Sequence, residues 1–175
     1  STQYASKSSP AGITFTDDYT VSSWVKLKSY GGSYVISRID GSQTAGWGLG
    51  ITDDGQVMAR SLRIASNNRQ IQSIQSLPLN EWVHIAARMD NSTNTHAIFI
   101  NGNSVPFTNS LVGTVTALVQ PTVDMTVGVR VGGIAPFDGE IADIRVYNSI
   151  RSDADILSDM NNYPSTNTGL VAWYK

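Results

Sequence analysis

The sequence predicts an all-β fold: a two-sheet antiparallel β-sandwich with one short C-terminal helix. Three observations predict it. Apolar residues alternate with period two in several stretches, while the 3.6 period of a helix is nearly absent. Turn dipeptides separate those stretches. A single segment near the C-terminus carries a helix-start signature.

Over 19–28, Tyr19, Val21, Val25 and Leu27 share one face, with Ser22, Trp24 and Lys26 on the other. Gly46, Gly48 and Gly50 alternate with Trp47, Leu49 and Ile51, and Trp47 falls on the core side. A nucleotide loop would need a following helix, and none is predicted. These glycines mark a strand closely approached by another backbone or a large side chain. Asp54-Gly55 and Asn101-Gly102 read as two-residue hairpin turns, because a type I′ turn needs φ > 0 at both central positions. Over 81–89, Val83, Ile85, Ala87 and Met89 oppose Trp82, His84, Ala86 and Arg88, and 90–95 is a polar loop. Over 126–131, Val127, Val129 and Val131 oppose Thr126, Gly128 and Arg130. Over 141–147, Ala142, Ile144 and Val146 oppose Asp143, Arg145 and Tyr147. Strands with one dry and one wet face belong to antiparallel sheets packed face to face. Ser152 is placed to cap a helix with Asp155 at its third position, and Ile156, Leu157 and Met160 form a small apolar face. All six prolines sit at strand ends or in loops, where a missing N–H costs little.

A chain of 175 residues can bury one real core, and it shows no internal repeat or domain-scale linker. The net charge of −2 supplies no field for nucleic acid or an anionic membrane. Arg60, Arg63 and Arg69 read as a solvated strand face. No apolar run approaches the ~20 residues of a membrane helix. The absence of cysteine excludes disulfides, thiolate metal sites and a cysteine nucleophile. No signal peptide is visible, and the start at Ser1 fits processing or excision from a larger protein.

The segment PFDGEIADIRVYNSIRSDADILSDM, from Pro136 to Met160, resembles the closing segment of laminin-G-like, concanavalin A-like jelly-roll domains. The family's F-x-G-x-I-x-x-(I/V)-R-(I/V)-Y-N strand is matched by Phe137, Gly139, Ile141, Ile144, Arg145, Val146, Tyr147 and Asn148. Its following helix is matched by Ser152, Asp155 and Ile156. DDYTVSSWVKLK, LNEWVHIAARMD, AIFINGNSV and VGVRVGG resemble further strands of the same family in the same order. The resemblance implies one laminin-G-like jelly-roll domain over residues 1–175. One departure stands out: the family's opening strand text appears at the end of the chain, as Gly169 to Lys175. Residues 169–175 therefore either fill the opening-strand slot, in this copy or a swapped one, or begin a tandem domain; the filled slot is favoured, since an open apolar edge invites aggregation.

The resemblance implies a non-catalytic recognition module for a glycan or surface protein, in a larger extracellular, cell-surface or virion-surface protein. Composition agrees: charged residues are only 15%, with many small polar ones. Trp24, Trp82, Arg88, Arg130, Asp143, Arg145 and Tyr147 would line a groove if their polar faces belong to one sheet, with rings stacking on sugars. Calcium is the metal the family implies, held by Asp53 and Asp124; Asp17, Asp18, Asp40, Asp90 and Asp138 are rivals. The alternative role is structural assembly in a virion or surface protein, involving other copies or domains. A glycosidase comes third. It needs two carboxylates flanking the bond, and the chain has only Glu81 and Glu140 as glutamates. His84 and His96 lack a G-x-S-x-G elbow or an evident third metal ligand.

Overall fold

The computed structural model describes residues 5–7, 13, 15, 18–62, 68–90, 92–111, 118–164 and 168–175. Asp17 and Arg63 lie outside them. The strands are β1 (Ala5–Lys7), β2 (Tyr19–Leu27), β3 (Ser33–Ile39), β4 (Gly46–Ile51), β5 (Gln56–Leu62), β6 (Asn68–Ser76), β7 (Trp82–Asp90), β8 (Thr95–Ile100), β9 (Asn103–Val105), β10 (Phe107–Leu111), β11 (Met125–Val127), β12 (Gly139–Tyr147) and β13 (Leu170–Tyr174). Helix α1 (Asp153–Asn161) lies between β12 and β13. A seven-stranded sheet runs β1-β11-β3-β4-β5-β6-β10, and a six-stranded sheet runs β13-β12-β2-β7-β8-β9. The paired strands are antiparallel throughout both sheets.

The inner faces follow the period-two pattern. Trp47, Leu49, Ile51, Val57, Ala59 and Ile71 from one sheet meet Val21, Val25, Val83, Ile85, Ala87, Ile144 and Val146 from the other. Phe15, Tyr19 and Trp47 pack ring on ring, with centroids 5.0–5.7 Å apart. Each such fully buried side chain contributes roughly 1.5–3 kcal/mol of hydrophobic stabilisation. The C-terminal strand β13 pairs with β12 at the edge of the six-stranded sheet, and Val171, Ala172 and Tyr174 pack on the core.

The two turn dipeptides behave differently. Asn101 and Gly102 both have positive φ (49° and 74°), as a two-residue turn between β8 and β9 requires. In the β4–β5 turn only Gly55 has positive φ (79°), and its N–H donates to the Thr52 carbonyl while the Thr52 N–H donates to Gln56. That is a longer turn closed by a glycine, so the two-residue reading of Asp54-Gly55 is corrected. In α1, Ser152 Oγ accepts from the Asp155 N–H at 3.1 Å, and the Asp155 carboxylate accepts from the Ser152 N–H at 3.1 Å. The helix buries Ile156 and Asp159, whereas Leu157 is 46% exposed. The expected apolar face thus narrows to Ile156, with an ionic anchor beside it.

Candidate functional site

The outer face of the six-stranded sheet is where the tryptophan-lined groove was expected. Helix α1 covers much of it: Ile156 packs against Ala86, Ala97 and Phe99. Arg88 donates to Asp153 Oδ1 (2.6 Å) and the Arg151 carbonyl (3.2 Å), tying down the start of the helix. Arg145, 3% exposed, chelates both Asp143 carboxylate oxygens and donates to the carbonyls of Asp159 and Asn162 at the helix end. Asp143 also accepts from Trp173 Nε1 at 2.5 Å, and these bonds hold it at φ 50° in the β12 bulge. Tyr147 is fully buried with the Arg151 guanidinium 4.6 Å over its ring. Burial, reinforced by the charge of Asp159, pushes its hydroxyl up to about 12. Trp24 sets its ring edge-on to His84, and Trp82 stands 43% exposed beyond it.

The expected single groove is therefore corrected. Arg88, Asp143, Arg145 and Tyr147 share a sheet face with Trp24 and Trp82, but Arg88 and Arg145 spend their guanidinium groups on α1 and its ends, Asp143 is held by Arg145 and Trp173, and Tyr147 is buried. A cavity of about 480 Å³ does open beside Asp143, Arg145, Tyr163 and Lys175. Of its charged walls, Asp143 and Arg145 pair with each other and the Lys175 ammonium lies over the rings of Tyr163 and Trp173.

Arg130 sits elsewhere, against the seven-stranded sheet. Here alternation aims a second set of side chains outward. Tyr34, Gly50, Met58 and Gln72 occupy one row across β3 to β6, and Gly48, Arg60 and Gln70 the next. The glycines leave room for larger neighbours. A Cβ on Gly48 would lie 2.8 Å from the Tyr34 ring, and one on Gly50 would lie 2.3 Å from the Ser33 carbonyl oxygen. This is the close approach expected of the glycine alternation. The segment 128–137 forms the wall beside β3: Gly128 donates to the Val35 carbonyl, Tyr34 to the Ala135 carbonyl, and Arg130 bridges back to Ile134.

Floor and wall line an open hollow of about 460 Å³, within the usual range of small-ligand sites. Its lining includes Tyr34, Met58, Arg60, Gln70, Gln72, Arg130 and Ile134, with Asp53 and Asp54 at the rim. The glutamines form a ladder: Gln70 Nε2 donates to Gln72 Oε1 (3.0 Å), Gln72 Nε2 to Gln56 Oε1 (3.1 Å), and Gln56 Nε2 to the Ile74 carbonyl (3.1 Å). Arg60 Nη1 donates to Gln43 Oε1 (2.9 Å) and the Tyr34 hydroxyl (3.2 Å). Tyr34 and Met58, with Ile39 and Leu62, make a small apolar cluster beneath this polar layer.

Asp53 and Asp124, the two residues named as candidates for calcium, lie apart. Asp53 Oδ1 accepts from the Gly32 N–H at 2.6 Å, at the start of β3. Asp124 precedes β11, whose register sets Thr126 opposite Ser37, so it lies by the other end of β3 and faces Arg38. At ~3.3 Å per residue the two aspartates are on the order of 20 Å apart and cannot hold one ion. Among the described residues no three acidic or histidine side chains converge as a metal site. Of the rivals, Asp40 is occupied by Thr44 and Ala45, Asp18 and Asp90 by Ser92 and Thr93, and Asp138 by Ser29. Glu140 pairs with Lys26 on the opposite sheet from the cavity.

No sequence motif singles out Tyr34, Met58, Gln70 and Gln72, although RQIQSIQS alternates Gln70 and Gln72 with Ile71. Arg60 lines the cavity, where its sequence context suggests only a solvated strand face. Arg69 reverses that reading: it is 1% exposed and reaches Asn94 and His96 at the β7–β8 turn.

Known proteins share this architecture. A family model described as the concanavalin A-like lectin/glucanases superfamily, of laminin-G type, matches residues 1–157. A curated relative, adhesion G-protein coupled receptor V1 of Danio rerio, is 25% identical over 154 residues, 85% of this chain. The chain spans only 2% of that relative's length. A putative carbohydrate binding protein from Bacteroides ovatus superposes with a TM-score of 0.74 at 22% identity, covering 98% of this chain and 48% of its own. The CBM40 of a Ruminococcus gnavus sialidase, bound to α2,3 sialyllactose, gives 0.64 at 19% identity and 84% coverage of both. At these identities the structural likenesses establish the fold. With the family match over nine-tenths of its length, this chain belongs to the concanavalin A-like lectin/glucanases superfamily.

Proposed function

We propose that this domain is a non-catalytic glycan-recognition module of a larger extracellular protein, and that the glycan seats in the cavity on the outer face of the seven-stranded sheet. The observation that carries this reading is the glutamine ladder beside Tyr34 and Met58. Each primary amide offers two donors and a carbonyl, which suits the mixed donor–acceptor character of sugar hydroxyls. Met58, Ile134 and the Tyr34 cluster supply apolar surface for C–H faces of a ring. Binding rather than hydrolysis is favoured because, among the described residues, the carboxylates lining the cavity are Asp53 and Asp54, neighbours on one turn. Hydrolysis needs two carboxyl groups on opposite sides of the bond, at roughly 5–10 Å. The carbohydrate-binding neighbours and the adhesion-receptor relative support the same class. Among the described residues no helix is long and apolar enough to cross a membrane.

A glycan array read with wild type, Gln72→Ala and Trp82→Ala, each with calcium and with chelator, tests the reading. Wild type should bind a glycan saturably. Losing one or two neutral hydrogen bonds should weaken Gln72→Ala about 3- to 10-fold, while Trp82→Ala binds as wild type. Loss in Trp82→Ala with retention in Gln72→Ala would move the site to the other sheet. No binding by folded protein in either condition would favour the assembly role. Binding abolished only by chelator would make calcium part of the site.

A further inference from the structure

We infer that the ligand of this cavity carries a carboxylate, and that Arg130 is the residue that reads it; this rests on the glycan-recognition reading above. Arg130 is only 7% exposed. Its Nε is buried and has no hydrogen-bond partner. Among the described residues the ion pairs involve Lys26, Arg88, Arg145 and Arg151, and none reaches Arg130. No carbonyl, carboxylate or ring in those residues accepts its guanidinium either. Arg130 nonetheless lines the cavity.

A guanidinium cannot shed its charge, so a buried one must be paired to be tolerated at low cost. Every other described arginine below a tenth exposure has at least one partner for its guanidinium, although Arg69 also leaves its Nε without one. Arg38 donates to the carbonyls of Ile13, Pro121 and Val123. Arg145 has Asp143 and two helix-end carbonyls, and Arg69 has Asn94 and His96. Arg130 is the exception, and it faces a space large enough for a ligand. Arg60, a second cavity guanidinium, spends Nη1 on neutral partners and keeps a buried, unpartnered Nε.

The planar guanidinium fork matches a carboxylate with two parallel N–H···O bonds. Asp53 and Asp54 at the rim oppose a polyanion, so a single carboxylate on an otherwise neutral, hydroxyl-rich sugar fits better than a heavily sulfated chain. A uronic acid and a sialic acid share this chemistry.

The test measures affinities of wild type, Arg130→Gln and Arg130→Lys for matched pairs: lactose against sialyllactose, a neutral disaccharide against its uronic-acid counterpart, and a sulfated counterpart. Wild type should prefer one carboxylated member by roughly 10- to 100-fold, as a desolvated charge-assisted bond supplies. Arg130→Gln should erase the preference, and Arg130→Lys should restore it only in part. The unliganded protein offers an independent readout. Removing an unpaired buried charge should leave the urea midpoint of Arg130→Gln unchanged or raised, whereas a structural arginine would lower it. Equal binding of neutral and acidic partners would overturn this inference and leave glycan recognition standing. Binding of neither would overturn both. Preference for the sulfated member, or a destabilised Arg130→Gln, would overturn the carboxylate role.

Discussion

His84 should make the stability of this domain fall steeply in mild acid. The side chain is 2% exposed on β7, its Nδ1 lacks a hydrogen-bond partner, and the Trp24 ring lies 5.5 Å away. Burial, helped by the nearby Arg145 charge and opposed by Asp143, pushes its pKa down from 6.5 to about 4. In the native state the imidazole is therefore neutral through a pH range in which the unfolded chain takes up a proton. Between pH 6.5 and about 4 the unfolded state binds more protons, so stability rises with pH across that window. The contribution is fully present above 6.5 and is lost as pH falls toward 4. At 1.36 kcal/mol per unit, the loss by pH 5 is about 2 kcal/mol and the whole is about 3 kcal/mol. Urea unfolding of wild type, His84→Phe and His84→Gln at pH 7, 6, 5.5 and 5 measures it. The other ionisable groups are common to all three proteins and drop out of the difference. The gap between wild type and either variant should shrink, or turn negative, by about 2 kcal/mol from pH 7 to pH 5. Parallel curves would refute the argument, because they would mean that His84 charges as readily in the fold as in the unfolded chain.

Two further outcomes follow from packing. Gly50→Ala should lose about 1–3 kcal/mol in urea unfolding, because its Cβ would meet the Ser33 carbonyl oxygen at 2.3 Å and backbone cannot step aside; Gly31→Ala, with nothing within 4 Å, should change stability by well under that amount. Asp159→Ala should cost about 3–5 kcal/mol, since Asp159 is 5% exposed and neutralises both Arg151 (3.1 Å) and Arg145 (3.6 Å), and circular dichroism should show α1 loosened before the sandwich unfolds.

The sandwich was legible because one physical rule, burial of alternate residues, governs nearly every strand. Tyr19, Val21, Val25, Val83, Ile85, Ala87, Ile144 and Val146 all point where the period-two pattern sends them. The cap of α1 was legible for the same reason: Ser152 and Asp155 interact within four residues of sequence. The site was not. Alternation separates the face that meets the core from the face that does not, but it cannot say whether the second face meets water, a helix or a ligand. Arg145 and Tyr147 carry the signature of a wet face and are buried by a helix 6–14 residues later in the chain. Gln70 and Gln72 have the same signature and do face a cavity. That distinction depends on the 128–137 wall and on where α1 docks, contacts far apart in sequence. Asp53 and Asp124 show the limit in another form: each suits a loop ligand locally, and only the β3 register shows that they occupy opposite ends of a strand.

The two outer faces part company over how their arginines are satisfied. Arg145 and Arg130 are both nearly buried, at 3% and 7% exposure. Arg145 sits inside a closed circuit of Asp143, Asp159 and the last carbonyls of α1, and so its charge fixes the helix to the sheet. Arg130 has no such circuit among the described residues. An interior that served stability alone would gain by replacing it with an apolar side chain of similar size. Unsatisfied groups of this kind concentrate where a fold gives up stability for binding. On that reasoning the helix-covered sheet serves as scaffold, and the seven-stranded sheet, with its glycine-cleared floor and the unpartnered Nε of Arg130, is the face we propose for binding.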